Sequence, residues 1–409
     1  MNNLNIALLS IVCFLLFNSQ AIAGQSDLLV NKLVEKNIIS QPEAEALLAQ
    51  SEAPQGLDSL PQWAQDIKLK GDLRFRYQRE EKDTTTAGLT TNTKRERARF
   101  RLRLGLEAKV AQGWTVKTGL ASGSTDSRST NQTYQDNFSS KPIQLDYAYA
   151  IYDPEENIKV LAGKIENKKT LWMASNLLWD SDINPEGLVA QIQCNENKFW
   201  LNTGYFILDE ISAGADPTMF FLQPGFMLSD NDISVKGSFN CYAVNSVQGL
   251  EYTNIVSGSN SNTLTGSPAS FAYDYDCWGI STEIGKQNFI SNRLDYGAVF
   301  FDYINNPDPS SENEGYLIGI KFGVPKVDNP GDWQAVINYR KLAKDAWLDF
   351  LPNSTFLAGQ TDARGYEYIL QYAVAKNVSM AISYYNAETI KALTKEDEDF
   401  LLVDFLLKF

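Results

Sequence analysis

Residues 399–409 read DFLLVDFLLKF and finish on an aromatic ring. Side chains alternate across a β-strand. Leu401, Val403, Phe405, Leu407 and Phe409 therefore share one face, while Asp404 and Lys408 fall on the other. Such a strand shows hydrocarbon one side and water the other. Residues 95–110, RERARFRLRLGLEAKV, alternate in the same way under a heavier charge. Arg95, Arg97, Arg99, Arg101 and Arg103 lie on one face and Ala98, Phe100, Leu102, Leu104 and Leu106 on the other. A charge at mid-membrane depth on a lipid-facing wall costs about 2–4 kcal/mol, so several guanidinium groups there would exceed the whole stability of a typical domain. The arginines must face water. Residues 67–77, IKLKGDLRFRY, repeat the arrangement, with Lys68, Lys70, Arg74 and Arg76 opposite Leu69, Leu73, Phe75 and Tyr77. Two such strands side by side make a basic stripe.

No stretch after residue 23 approaches the roughly 20 apolar residues that a spanning helix needs. A membrane protein without such helices must be a closed barrel, because hydrocarbon leaves no unpaired backbone group unpunished. Hydrophobic residues make up 44% of the chain and aromatic residues 12%, enough for apolar walls and two interfacial girdles. From Trp63 onward the period is two, and about sixteen strands can be marked between residue 66 and Phe409. Their connections alternate. AQG, PEEN, NEN and AK are tight, whereas residues 81–94, 125–141, 166–186, 250–270 and 345–362 are long. An up-and-down barrel with brief periplasmic turns and long external loops predicts this; a sandwich or solenoid does not. The expected fold is all-β: a transmembrane antiparallel barrel of about 16 strands over residues 61–409, both termini periplasmic. A barrel of that size leaves an aqueous channel, so a conduit is the expected function.

The amino-terminal region differs. IALLSIVCFLLF followed by Ala21-Ile22-Ala23 reads as a secretory signal peptide over residues 1–23, cleaved after Ala23, although its first residues hold no Lys or Arg. Residues 24–60 read as a short periplasmic helical hairpin and linker, with Leu28, Leu29, Leu33 and Val34 on one face. Ser40 and Glu43 are spaced as a capping box that opens the second helix.

Composition removes several chemistries. The chain has no histidine, which excludes Ser-His and histidine-metal sites and the outer-membrane hydrolases that rely on a histidine base. Catalytic and metal residues are expected to be none, as are cofactors. A net charge of −14 argues against nucleic acid as a partner. Three cysteines follow residue 23, an odd number that defines no disulfide framework.

The candidate pore-lining groups are Arg74, Arg76, Arg97, Arg99, Arg101 and Arg103. The alternative for this stripe is a wall of guanidinium groups paired with inner carboxylates for stability. Residues 166–186, ENKKTLWMASNLLWDSDINPE, mix Trp172, Leu177, Leu178 and Trp179 with Asp180, Asp182 and Glu186. Folding into the lumen would bury the apolar groups and set these three acids opposite the arginines, a transverse field across a constriction. Docking on a neighbouring subunit or on lipid headgroups is the competing expectation.

Several segments, SDLLVNKLVEKNIISQPEAEALLAQ (26–50), RFRLRLGLEAKV (99–110), ASGSTDSRSTNQT (121–133), KPIQLDYAYAIY (141–152), AGKIENKKTLW (162–172) and LLWDSDINPEGLVAQ (177–191), resemble the Putative porin family of Gram-negative bacteria. The terminal Phe409 resembles the assembly signal of outer-membrane barrels. The resemblance implies an exported outer-membrane porin for passive diffusion of small hydrophilic solutes or ions. It also implies contact with outer-membrane lipid and lipopolysaccharide, and with the barrel assembly machinery through Phe409. A homotrimer stays open, as many porins are trimers. A channel selective for an anion, sugar or amino acid, and an envelope-anchoring or adhesin barrel, remain alternatives. Residues 126–133 resemble a recurrent family segment and are expected in an outer loop with pore-side contacts.

Overall fold

The computed structural model describes residues 40–43, 67–196, 198–255, 261–290 and 294–409. The chain divides into two units, Met1–Gln65 and Asp66–Phe409. The signal peptide and nearly all of the hairpin expected in the first unit lie outside the described residues. Ser40–Glu43 are the exception: the Ser40 backbone N–H and hydroxyl both donate to the Glu43 carboxylate, at 2.8 and 2.7 Å. That is half of the expected capping box.

The second unit is a barrel. Its strands, numbered in chain order, are β1 Lys68–Thr86, β2 Leu89–Ala111, β3 Trp114–Ser122, β4 Ile143–Glu155, β5 Ile158–Lys164, β6 Glu186–Cys194, β7 Phe199–Ile207 and β8 Thr218–Asp230. There follow β9 Ile233–Asn245, β10 Trp278–Ile290, β11 Leu294–Asn305, β12 Glu314–Gly323, β13 Trp333–Leu342, β14 Ala363–Ala375, β15 Val378–Thr389 and β16 Lys395–Lys408. Each pairs antiparallel with its neighbours in sequence, and β1 also pairs with β16 from Asp72↔Lys408 to Thr85↔Lys395. Closure removes both edges, which hydrocarbon demands. The seam ends on Phe409, whose backbone exchanges two hydrogen bonds with Gly71, at 2.7 and 3.0 Å. A Cβ at Gly71 would stand 2.6 Å from the Phe409 ring, so only glycine lets the terminal aromatic lie across β1.

Register puts the two faces where the alternation requires. Arg74↔Arg101 and Arg76↔Arg99 are opposite one another on β1 and β2, as are Leu73↔Leu102 and Phe75↔Phe100. Phe75, Leu104, Leu222, Val299 and Ile382 are large apolar residues open to the outside. On that outer wall Tyr366 lies near Tyr339 and Tyr368, with ring centroids 4.9 and 6.3 Å apart. Among the described residues, Cys194, Cys241 and Cys277 are unpaired.

One expectation fails. Residues 81–94 are no loop: β1 and β2 run on to a two-residue turn at Ala87-Gly88, with φ of 52° and 80°. Paired positive φ values make the hairpin turn that matches strand twist. Cross-strand polar pairs replace apolar alternation there, with Asn92 donating to Asp83 at 2.7 Å and Lys94 to Glu81 at 2.5 Å. Thr, Asp and Asn on both faces conceal a period of two. At about 3.3 Å per residue, 19 residues in β1 reach well beyond an apolar band of about 25 Å.

Val299, half-exposed on the outer face of β11, tests the orientation. Val299→Arg should cost about 2–4 kcal/mol of stability in a bilayer, read by denaturant titration in liposomes. A loss within experimental error would place this face away from lipid.

Candidate pore and its constriction

The six candidate arginines of β1 and β2 project into the barrel, and most of them are answered. Arg76 grips Asp404 of β16 with two bonds of 2.7 Å. Arg101, 8% exposed, grips Asp72 at 2.9 and 2.6 Å. Arg97 reaches Glu80 at 3.4 Å, and Arg103 reaches Asp182 at 2.6 Å. Arg74 and Arg99 have only neutral acceptors: Arg74 donates to the Asn131 side chain at 2.6 Å and Arg99 to the Asn131 carbonyl at 3.3 Å. Four of the six candidates thus carry a carboxylate partner, and two keep an unanswered charge.

Residues 126–133 come to lie against this wall because β3 is short. β2 outlasts it, and Gln132 and Thr133 pair with the freed edge at Phe100 and Arg99. Ser129 is 3.5 Å from Arg99, and Thr130 accepts from Arg103 at 3.0 Å. Asp182 in turn accepts from the Thr130 hydroxyl at 3.1 Å.

Opposite the arginines runs a ladder of uncharged side chains that the sequence did not announce. Gln191 on β6 donates to Asn202 on β7 at 3.2 Å, and Asn202 to Gln223 on β8 at 2.9 Å. Gln223 donates to Asn240 on β9 at 2.6 Å, and Asn240 to Ser281 on β10 at 3.1 Å. These residues occupy inward positions of five successive strands. Isolated Asn and Gln at period two look like ordinary barrel interior, so only register reveals the row.

The 165–185 segment spans the space between the two walls. At one end Asp182 meets Arg103. Further back, the Gln223 amide clamps the Trp172 backbone, accepting from its N–H and donating to its carbonyl, both at 2.8 Å. Ser175 and the Ala174 N–H donate to Asp302 on β11, the latter at 3.3 Å. Contacts to β2, β8 and β11 by one loop are possible only through the interior. Leu177, Leu178 and Trp179 are buried there, with Trp179 edge-on to Phe206 of β7 at 6.2 Å.

A second segment, 343–362, locks onto the first. The Trp347 indole donates to the Leu178 carbonyl at 2.8 Å, and the Asp180 N–H to the Leu351 carbonyl at 2.6 Å. The Asp180 carboxylate accepts from the Ser354 N–H at 2.7 Å. The expected acids therefore separate. Asp182 faces the arginines. Asp180 serves the joint between the two segments. Glu186 stands apart: it opens β6 on the outward face it shares with Leu188, and pairs with Lys164 at 2.9 Å. Strand alternation, which begins at that residue, turns it away from the lumen. Charge follows position: burial and the Asp182 charge push Asp180 up to about 6. Burial also acts to raise Asp182, but Arg103, Arg101 and Arg74 outweigh it and hold the carboxyl at about 2.

Between Arg103, Asp182, Tyr147 and the start of the loop lies a cavity of about 350 Å³. Apolar packing fills the barrel from β4 round to β13. The polar space left beside β1 and β2 is the arginine side.

The family described as Putative porin matches residues 80–275 and 275–409. The chain belongs to the Putative porin family. It is an outer-membrane porin, a channel. No curated protein matches it. Among solved structures it is similar to variants of the Rhodopseudomonas blastica porin. A triple mutant, a second variant carrying five substitutions and a third carrying two have TM-scores of 0.46, 0.47 and 0.47. Each is 12% identical, over 84% of this porin and 100% of that chain.

Gln223→Ala would orphan the part-buried Trp172 N–H and carbonyl, costing up to about 1–3 kcal/mol for each unmet group. Trypsin should then cut at Lys168 or Lys169 several times faster than in the unaltered protein while the barrel stays folded. Unchanged protection would show that the ladder does not hold the loop.

Proposed function

We propose that small hydrophilic solutes and ions cross this porin passively along the arginine side of the lumen, with Arg103 and Asp182 at the narrowing. The observation that carries the reading is the Arg103–Asp182 contact of 2.6 Å, made by a loop held across the barrel and bordered by open polar space. Arg74 and Arg99, lacking a carboxylate partner, supply the basic field. Arg76, Arg97 and Arg101 are neutralised at short range and keep the wall rigid. A positive wall facing a fixed acid orients dipolar solutes and screens them by charge.

The same reading places a cleaved signal peptide over residues 1–23, a periplasmic hairpin and linker over 24–60 and the barrel over 61–409. It adds contact with lipopolysaccharide and lipid along the apolar wall, recognition of Phe409 by the assembly machinery, and a homotrimer. Phe409 supports the second of these: its ring lies exposed at the seam.

Purified protein in planar bilayers should conduct, with a reversal potential under a KCl gradient that reports ion preference. Changing Arg74 and Arg99 together to Glu should move the permeability ratio several-fold toward cations. An unmoved reversal potential would take both arginines off the pathway, and no current at all would end the channel proposal for this lumen.

A further inference from the structure

We infer that the cavity beside Arg103 is a subsite for zwitterionic solutes, small molecules bearing both a carboxylate and an ammonium group, of which a free amino acid is the simplest. The inference rests on the channel reading above and goes further, because it names the chemistry that the lumen favours. At about 350 Å³ the cavity holds one small solute.

The charges around it do not cancel pairwise. Lys70 is taken by Glu166 at 3.3 Å, Arg103 by Asp182 at 2.6 Å, and Asp72 by Arg101 at 2.6 Å. Among the described residues Lys168 forms no ion pair and no side-chain hydrogen bond. It stands in the field of Arg103, Arg101 and Lys408, with Asp182 as the acid it feels most. Asp146 forms no ion pair either; the Asn184 amide, at 2.9 Å, is the hydrogen bond its carboxylate accepts. Unpaired cations and an unpaired anion, Asp146, thus border the same small space. Lys408 also borders the cavity and adds to its positive side.

Backbone geometry supplies an independent sign. The β3–β4 register slips between Gly119↔Tyr147 and Leu120↔Leu145, leaving Asp146 as the extra residue of a bulge. Leu145 faces outward and Tyr147 is buried inside. Regular alternation would aim one of two neighbours out; here the bulge lets Asp146 and Tyr147 both face the cavity. Bulges recur beside functional sites because they re-aim a side chain in this way. Tyr147 fixes the floor: a Cβ at Gly105 or Gly119 would come within 2.2 Å of its ring or hydroxyl, so the tyrosine lies flat on two glycines.

A plain anion would meet Asp146, and a plain cation would meet Lys168 with two arginines behind it. A solute with both signs answers both. Uncharged solutes gain nothing from either group.

Reconstituted full-length protein in liposomes should swell faster with L-serine than with erythritol, a neutral solute of similar size, and the serine rate should saturate. Lys168→Gln and Asp146→Asn should each raise the half-saturating serine concentration on the order of fivefold, with erythritol entry unchanged. Lys168 lies in an exposed turn, so its variant keeps the fold if Asp146→Asn does not. Equal rates for serine and erythritol in open channels would overturn the subsite and leave the porin reading intact. So would lactate matching serine with sensitivity to Lys168→Gln alone, which would mark a simple anion site. Liposomes that admit neither solute would overturn the channel reading, and the subsite with it.

Discussion

Hydrocarbon leaves this chain one way to satisfy its backbone, and the β1–β16 pairing is where that requirement is met. Fourteen residue pairs close the seam. Once it closes, every side chain in the wall has been assigned inside or outside, because a slip of one residue would exchange the two sets. A one-residue slip of β2 would send Arg97, Arg99, Arg101 and Arg103 into lipid together. Register is thus enforced by a penalty larger than the stability of the whole fold, and the basic lumen follows from closure rather than adding to it.

A lumen lined by arginines needs counter-charge, and the strands provide most of it themselves. Asp72 lies on β1 and Asp404 on β16, next to the groups they neutralise. Asp182 arrives differently, carried in by a loop whose apolar residues pack against the far wall. Electrostatics and burial cooperate here. The leucines and tryptophans leave water only by entering the barrel, and doing so brings the acid to Arg103. The uncharged ladder across β6–β10 lets that happen, since amides can meet the loop backbone without a charge to desolvate.

The arginine rows were legible in the sequence because guanidinium groups at strict period two admit one orientation in a membrane. The inward path of residues 165–185 could be argued from two tryptophans that no external loop would expose. Other features were illegible for physical reasons. Glu186 looked like its neighbours Asp180 and Asp182 because a strand boundary, which decides its direction, leaves no mark in an acidic stretch. Asp180 could not be assigned to the joint with Ser354 since the partner lies 174 residues away. The β1–β2 extension was hidden by polar residues on both faces, and the Asn–Gln ladder by the neutrality of its members.

The two interlocked loops form a fixed wall rather than a moving gate, and burial shows why. Leu177, Leu178 and Trp347 are fully buried and Trp179 nearly so. Returning four such side chains to water costs roughly 6–12 kcal/mol at about 1.5–3 kcal/mol each. At 1.4 kcal/mol per factor of ten, even the lower bound holds the displaced state near one molecule in about 10⁴. The hydrogen bonds at Trp172, Trp347 and Asp180 add to that margin. The opening is therefore set by packing, and on the proposed route it is charge at Arg103, Asp182 and the groups beside them that would select among solutes.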